Sequence, residues 1–275
     1  MSTIIVVNGA YDWRPHLIGH EVVQVHLGRS RWLLDRGKLW VVDARGSYAP
    51  DAILWRIGAV DPAPMHRACL EMIRLSGLPC VNPADTLLTG YDRLGMLHAL
   101  RQAGLPVVDF TVFAGAGALE VLEPDLPAVL KVGNLHGGLG KARALDAASW
   151  RELVALPDLS TTGYATAEPF IDYTRDVRCL AVGDDLWAME RRSPGWKANV
   201  GTNAHDIVPV PPALATWTRA AMTHLGADVL GLDYLESADG EFTLLESNDI
   251  PGVRGWPDSV PRAIARRLTA KLERT

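Results

Sequence analysis

The segment from residue 231 to residue 248 constrains the fold more than any other part of the sequence. Two largely apolar runs, Gly231–Glu236 and Phe242–Glu246, flank the tetrapeptide Ala-Asp-Gly-Glu. Asp-Gly is a typical two-residue hairpin turn, so the segment is predicted to form two antiparallel strands. If Asp239 and Gly240 form the centre of the turn, Asp233 lies directly across from Glu246, and their carboxylates share one face of the sheet.

This hairpin face is a candidate metal site. Side chains alternate along a strand, so Asn248 lies on the same face as Asp233 and Glu246. Oxygen ligands in so small a number suit Mg²⁺, which keeps several waters and takes further ligands from substrate phosphates. A solvated polar hairpin face would also explain the two acids, but the flanking apolar residues and the following Pro251-Gly252 favour a buried floor.

A glycine-rich loop directly follows a predicted strand in the middle of the chain. The apolar run 128–130 leads into Lys131. The loop then carries three glycines and a second lysine, namely Gly137, Gly138, Gly140 and Lys141. Glycines let backbone N–H groups approach phosphate oxygens, and the lysines supply positive charge. The spacing is not that of a Walker A loop, and a plain surface loop is the alternative.

A proline interrupts the next predicted strand, which begins near Tyr164. The sequence Glu168-Pro169-Phe170-Ile171 follows this strand, and a proline there leaves backbone groups free of sheet pairing. Such a break can bind the edge of an adenine ring.

The two strands that follow form a second predicted hairpin, with a turn at Gly183-Asp184-Asp185. A three-residue turn places Asp176, Arg178, Glu190 and Arg192 on one face and apolar side chains on the other. Two arginines on one strand face suit an anionic ligand. A salt-bridged face exposed to solvent is the alternative.

Three regions are predicted along the chain, at residues 1–82, 83–165 and 166–275. In the first, short apolar runs alternate with a helix from Pro64 to Ser76, which indicates a small open α/β sheet. The second contains a helix from Asp92 to Ala103, strands near 107–113 and 128–132, and a helix at 147–156. The third contains the two hairpins, a helix near 213–225 and a C-terminal helix from Pro261 onward.

Composition narrows the functional classes. The 275 residues have 48% hydrophobic content, a formal net charge of −5 and no run of basic residues, so nucleic acid is not expected as a partner. The N-terminus has no basic segment and too short an apolar run for a signal peptide or membrane span. The three cysteines are scattered without metal-ligand spacing, which indicates reduced thiols and a cytoplasmic protein.

In combination, these segments resemble the ATP-grasp superfamily, with the nearest pattern shared by RimK-type carboxylate–amine ligases and synapsins. The resemblance covers residues 50–256 and rests on the order and spacing of several short sequences. They are Arg56-Ile57-Gly58, Asp92-Arg93, Lys131 with the loop to Lys141, Ala167–Asp172, Asp176-Val177-Arg178, Gly195–Asn199, Gly231-Leu232-Asp233 and Glu246-Ser247-Asn248 with Pro251-Gly252.

This resemblance implies an α/β (α+β) fold of two lobes that grip ATP, preceded by a small open α/β domain at residues 1–82. The N-terminal lobe would span 83–165 and carry a glycine-rich lid, and the C-terminal lobe would span 166–275. The implied nucleotide-binding residues are Arg93, Lys131, Gly137, Gly138, Gly140, Lys141, Glu168, Pro169, Phe170, Ile171 and Asp176. At the position of Arg93 the family usually has a lysine.

The resemblance also implies the chemistry. Arg178, Arg192 and Asn199 would stabilise charge on the transferred phosphoryl group and on an acyl phosphate. Asp233, Glu246 and Asn248 would hold one or two Mg²⁺ ions, with Mn²⁺ as an alternative.

The expected function is an ADP-forming ligase that joins a carboxylate to an amine. The substrates are a small molecule, a peptide or a carrier protein, and a homodimer is one option for the assembly. A synapsin-like regulatory protein that binds ATP without ligation, or a phosphotransferase on the same fold, are the alternatives.

Overall fold

A computed structural model describes residues 1–58, 63–115, 117–135, 138–155, 163–197 and 204–274. The first region contains a parallel sheet of four strands in the order β2-β1-β6-β7, covered on one face by helix α1. Its elements are β1 (Thr3–Val7), β2 (Glu21–Val25), β6 (Ala52–Trp55), α1 (Pro64–Ser76) and β7 (Cys80–Val81), with short 3₁₀ turns at Arg14–His16 and Leu27–Arg29. This sheet confirms the predicted open α/β unit, and α1 has the predicted bounds.

Between β2 and β6 the chain forms a separate antiparallel sheet. Its strands are β3 (Arg31–Asp35), β4 (Lys38–Asp43) and β5 (Gly46–Tyr48). The apolar run Leu39–Val42 lies here and not in the parallel sheet, because Leu39 and Val41 alternate with more exposed residues and pack onto the core beneath α1.

The second region begins with two helices and continues into a four-stranded antiparallel sheet in the order β10-β9-β11-β8. Its elements are α2 (Ala84–Gly90), α3 (Arg93–Gln102), β8 (Thr111–Ala114), β9 (Ala128–Val132), β10 (Lys141–Ala144), α4 (Ala147–Val154) and β11 (Tyr164–Pro169), with a 3₁₀ turn at Ala118–Glu120. The carboxylate of Asp92 caps α3 by accepting hydrogen bonds from two backbone N–H groups. The predicted region boundary at 165/166 falls inside β11.

The third region is built on a five-stranded antiparallel sheet in the order β14-β13-β12-β15-β16. Its elements are β12 (Arg175–Val182), β13 (Asp185–Arg192), β14 (Ala204–Val208), α5 (Pro212–Leu225), β15 (Val229–Glu236), β16 (Phe242–Asn248) and α6 (Ser259–Leu272).

Two cores cover the two faces of this sheet. On one face, residues such as Val177, Leu232 and Tyr234 pack against α3 and α5. On the other face, Leu180 and Val229 pack against α6 and against residues of β1, β6 and β7. The first and third regions therefore share a continuous core, whereas β8–β11 and α4 enclose a core of their own.

None of the helices in the described ranges is long and apolar enough to cross a membrane.

Candidate active site

The β15–β16 hairpin has the predicted pairing at its functional end. Asp233 pairs with Glu246 and Gly231 pairs with Asn248, so the three predicted metal ligands lie on one face of the sheet. The prediction of this pairing is confirmed.

The turn of this hairpin differs from the prediction. Ser237 and Glu241 close a three-residue loop, and Glu236 pairs with Phe242, one position away from the pairing that a two-residue turn imposes. A bulge between the Asp233 and Tyr234 pairs then restores the offset. The predicted pairing of Asp233 with Glu246 is therefore correct because two one-residue irregularities cancel.

Arginines and carboxylates form a buried network beside this hairpin. The guanidinium of Arg178 donates two hydrogen bonds of 2.6 Å to the carboxylate of Asp233. Arg191 lies 2.5 Å from Asp176 and 3.3 Å from Asp233. Burial opposes ionisation of Asp233, but the two arginines outweigh it and hold the pKa of this carboxyl below its usual range. Burial prevails at Asp176 and raises its pKa to about 6 despite Arg191.

The predicted position of Arg192 is wrong. The turn between β12 and β13 contains two residues, not three, since Val182 pairs with Asp185. This change of register places Arg191 on the face of Asp176 and Arg178. Arg192 lies on the opposite face with its side chain 60% exposed, and it contacts Asp206 at 3.0 Å.

Glu246 and Asn248 complete the candidate metal site. The Nζ of Lys141 lies 3.0 Å from Glu246. Burial opposes ionisation of Glu246, but Lys141 and Lys131 outweigh it and lower the pKa of the carboxyl well below its usual range. The amide nitrogen of Asn248 is buried and has no hydrogen-bond partner among the described residues.

These donors fit a hard cation. Two ionised carboxylates and an amide on one face are the oxygen ligands that Mg²⁺ prefers, and basic side chains neutralise both carboxylates in this structure. Within the described ranges, no group of three His, Cys, Asp or Glu side chains is arranged to hold a metal, so the amide oxygen is needed as the third protein donor.

A cleft separates the sheet of β8–β11 from the sheet of β12–β16. The predicted nucleotide-binding residues Lys131, Lys141 and Glu168–Ile171 line one side, and Leu235 and Leu245 line the other. Lys131 and Lys141 are cross-strand neighbours, so both project into the cleft. The structure thus brings the two lysines and the proline break together in one cavity.

Lys131 and Glu168 form a buried ion pair at the back of this cleft. Burial lowers the pKa of Lys131, and the carboxylate of Glu168 opposes the shift. Strand β11 ends at Pro169, and the N–H of Phe170 donates to Pro127 across the break. The ion pair with Lys131 uses the side chain of Glu168, whereas the sequence predicted a role only for the backbone of this segment.

Arg93 holds the start of the glycine loop. Its N–H donates to the side chain of Asn134 at 2.9 Å, and its guanidinium donates to the carbonyl of Leu135. Arg93 also lines a small cavity with Glu246 and Ser247, so it links the loop to the candidate metal site.

The other predicted residues of the loop and the phosphate site fall in three groups. Gly138 and Gly140 lie in the loop between β9 and β10, and the carbonyl of Gly138 accepts a hydrogen bond of 3.3 Å from Lys197. Gly137 and Asn199 lie outside the described residues. Asp176 is buried beneath Arg191 and does not line the cleft. The roles of all these residues in binding stay predictions.

An aromatic and cationic cluster at the cleft rim was not predicted. The guanidinium of Arg143 lies 4.9 Å from the ring centre of Phe170 and 5.6 Å from that of Trp196. Arg143 shares a sheet face with Lys131 and Lys141, so its two-residue spacing from Lys141 was the available sequence signal.

The buried Asn82 and the half-buried Arg56, both in the first region, hold the loop after β16, a contact that was not predicted. Asn82 donates to the carbonyl of Asp249 at 2.5 Å and accepts hydrogen bonds of 2.7 Å from the backbone of Asp228 and Val229. Arg56 donates to the carbonyl of Pro251. Burial raises the pKa of Asp249 to about 7.

Comparisons with known proteins agree with this geometry. The family model described as "Synapsin, ATP binding domain" matches residues 89–252, more than half of the chain. Synapsin of Drosophila melanogaster is 25% identical over 218 residues, which cover 74% of this chain and 21% of that protein. The chain thus spans about a fifth of the length of this relative.

Two further proteins are similar to this chain over most of its length and most of their own. The glutamate–LysW ligase ArgX of Sulfolobus acidocaldarius is 22% identical over 236 residues, covering 79% of this chain and 81% of the relative. The structure of the ATP-grasp ligase PsnB, complexed with a phosphomimetic variant of a minimal precursor, Mg and ADP, superposes with a TM-score of 0.71 at 18% identity over 98% of each chain. The predicted ATP-grasp fold is confirmed, and the chain belongs to the synapsin ATP-binding domain family of the ATP-grasp superfamily.

Proposed function

We propose that this protein is an ATP-dependent ligase that joins a carboxylate to an amine through an acyl-phosphate intermediate, with Mg²⁺ as its metal. One observation carries the proposal. The paired acids Asp233 and Glu246 lie between the lysines of the nucleotide cleft and the buried Arg178–Arg191 pair. A site that only held ATP would not require arginines beyond the metal ligands.

ATP binds in the cleft between the two sheets. The proline break at Glu168–Ile171 offers backbone groups to the adenine edge, and Lys131 and Lys141 neutralise phosphate charge. Gly138, Gly140 and Arg93 form and anchor the loop that covers the phosphates. Because the loop closes over the acyl phosphate, it excludes the water that would hydrolyse it.

Asp233, Glu246 and Asn248 would hold the metal, which would neutralise charge on the phosphates. Arg178 and Lys141 pair with these carboxylates and supply further positive charge beside the nucleotide and the acyl phosphate. Arg191, and not Arg192, has the charge-stabilising role, because Arg191 is the arginine of β13 that lies on the same sheet face as Arg178 and Asp176. Fixed positive charge stabilises the transferred phosphoryl group without reorganisation.

The substrates are assigned only by class. ArgX is named as a ligase of glutamate and LysW, and the ATP-grasp ligase PsnB was solved in complex with a variant of its minimal precursor. An amino acid, a peptide or a carrier protein is therefore the proposed substrate class.

A second candidate is ATP binding without ligation, which the match to the synapsin family model favours. A phosphotransferase on the same fold is the third. Both differ from a ligase in one observable, because neither makes an electrophilic acyl group.

Trapping the acyl phosphate tests the proposal. The protein is incubated with Mg²⁺-ATP, hydroxylamine and a panel of amino acids and peptides, and hydroxamates are detected by mass spectrometry together with ADP. A ligase gives a hydroxamate and ADP in equal amounts. Arg178→Met should abolish the hydroxamate, whereas Arg266→Met, which changes an exposed arginine of α6, should not. ATP binding with neither product across the panel would favour the synapsin-like alternative.

A further inference from the structure

His205 lies on the face of the five-stranded sheet that carries Arg178, Arg191 and Asp233, although it was given no role above. It is on the edge strand β14 and pairs directly with Arg191 on β13. Paired residues of antiparallel strands project to the same face, with Cβ atoms about 5 Å apart. His205 and Arg191 are therefore neighbours on this face, and Arg191 itself contacts Asp233.

The carboxylates on this face are already paired with basic side chains. Asp176 contacts Arg191, Asp233 contacts Arg178, and Glu246 contacts Lys141. The cations hold the pKa of Asp233 and Glu246 below the usual range, which makes both carboxylates poor proton acceptors, and Asp176 is buried beneath Arg191, out of contact with the cleft. His205 is exposed and has no hydrogen bond or ion pair to any residue in the described ranges.

The loop that leaves the metal-ligand strand passes close to His205. A Cβ atom built on Gly255 would lie 2.9 Å from the imidazole Nε2, and the φ of Gly255 is +85°, so only glycine fits well at this approach. The charged residues of this loop are Asp249, whose carboxylate lies against Gly90 of α2, Arg254, which is exposed, and Asp258, which is held by Arg262 at 2.5 Å. His205 thus lies between the sheet and this loop, with one imidazole edge directed at the loop backbone.

We infer that His205 is the general base that removes a proton from the amine substrate. The inference rests on the proposed ligase function and assigns the amine to the β14 side of the sheet. The substrate ammonium gives one proton to the imidazole, and the nitrogen lone pair attacks the acyl carbon. The C–N bond forms, the C–O bond to phosphate breaks with its electrons on phosphate, and the second proton leaves with hydrogen phosphate. Histidine is the residue that most often performs such a transfer.

Hydroxylamine separates this role from a structural one. It is unprotonated at neutral pH and needs no base, so it captures the acyl phosphate directly. An amino acid such as L-glutamate arrives as an ammonium and does need one. His205→Gln should therefore slow amide formation with L-glutamate by about 100-fold or more, with kcat affected more than KM for ATP. Hydroxamate formation with hydroxylamine should change less than about twofold by the same reasoning.

The control is His224→Gln, which replaces an exposed histidine in the last turn of α5 and should leave both rates unchanged. Equal loss of amide and hydroxamate in His205→Gln would show that the residue supports the fold or the phosphates, and would overturn the inference. An unchanged amide rate would overturn it too. If the unsubstituted protein makes no hydroxamate at all, the ligase function itself fails, and the role of His205 fails with it.

Discussion

Arg191 and Arg192 are adjacent in sequence but differ sharply in environment, so replacing each with methionine tests the observed register. The Arg191 side chain is 8% exposed and contacts two carboxylates, whereas that of Arg192 is 60% exposed and contacts Asp206 and Glu190. Methionine keeps the apolar stem and removes the charge. The two variants have the same composition, which makes each the control for the other.

The expected magnitudes follow from these contacts. Removing one partner of a buried ion pair costs about 3–5 kcal/mol, because the remaining charge is left without compensation. Arg191→Met removes the cation that pairs with Asp176 and leaves the charge of this carboxylate without compensation. The second oxygen of Asp176 already lacks a hydrogen-bond partner among the described residues. An exposed pair contributes about 0–1 kcal/mol, so Arg192→Met should fall in that range.

The pH dependence has a definite sign. The pKa of Asp176 is raised to about 6 in the folded protein, so the folded state holds an extra proton between about pH 4 and pH 6. Stability therefore falls as the pH rises through this window, by about 3 kcal/mol for this carboxyl. Without Arg191 the pKa of Asp176 rises further. The destabilisation of Arg191→Met should accordingly be smaller at pH 5, where Asp176 can be protonated, than at pH 8.

Urea unfolding followed by tryptophan fluorescence at both pH values measures these differences. The double variant Asp176→Asn with Arg191→Met should recover much of the loss at pH 8, because no uncompensated charge remains at Asp176. Equal destabilisation by the two methionine variants, or an Arg191→Met effect that is the same at pH 5 and pH 8, would refute the described network.

Three further predictions concern the metal, the loop and the core. Glu246→Gln should raise the Mg²⁺ concentration for half-maximal ADP release by about tenfold or more, while Glu241→Gln in the hairpin turn should not; equal Mg²⁺ dependence would remove Glu246 from the metal site. Asn82→Ala leaves buried backbone groups unpaired and should lower the free energy of unfolding by about 3 kcal/mol, and a loss below about 1 kcal/mol in urea titrations would contradict this. Gly140→Ala should weaken ATP binding measured by calorimetry, because its φ is +62° and a Cβ there would lie 2.8 Å from a side-chain carbon and 3.1 Å from a backbone oxygen; Gly183→Ala has a similar φ of +56° in open space and should bind ATP normally.

Local signals in the sequence were sufficient for most elements and for the cleft. The helix from Pro64 ends where Gly77 stops it, and α3 begins directly after Asp92, the residue at which its start was predicted. Lys131 and Pro169 were predicted to lie in one nucleotide site. Both line the same cleft because β9 and β11 are neighbouring strands.

Register was the least predictable feature, since one residue in a turn moves every side chain of a strand to the other face. That error moved the predicted arginine from Arg191 to Arg192. The length of the β15–β16 turn was also mispredicted by one residue, but a β-bulge compensates for it, and no residue type in the sequence indicates that bulge. The ion pairs could not be predicted either, because Arg178 and Asp233 lie on strands that are far apart in sequence.

The core shared by the first and third regions determines which parts of the protein can unfold separately. Strands β1, β6 and β7 bury their side chains against α6 and the large sheet, and Asn82 ties the backbones of the two regions together. Strands β8–β11 with α4 enclose a separate core. The chain therefore contains two cooperative units, one discontinuous in sequence and one inserted within it. Because its core is separate, we expect the inserted unit to move relative to the other unit when a nucleotide enters or leaves the cleft, without exposing the other core.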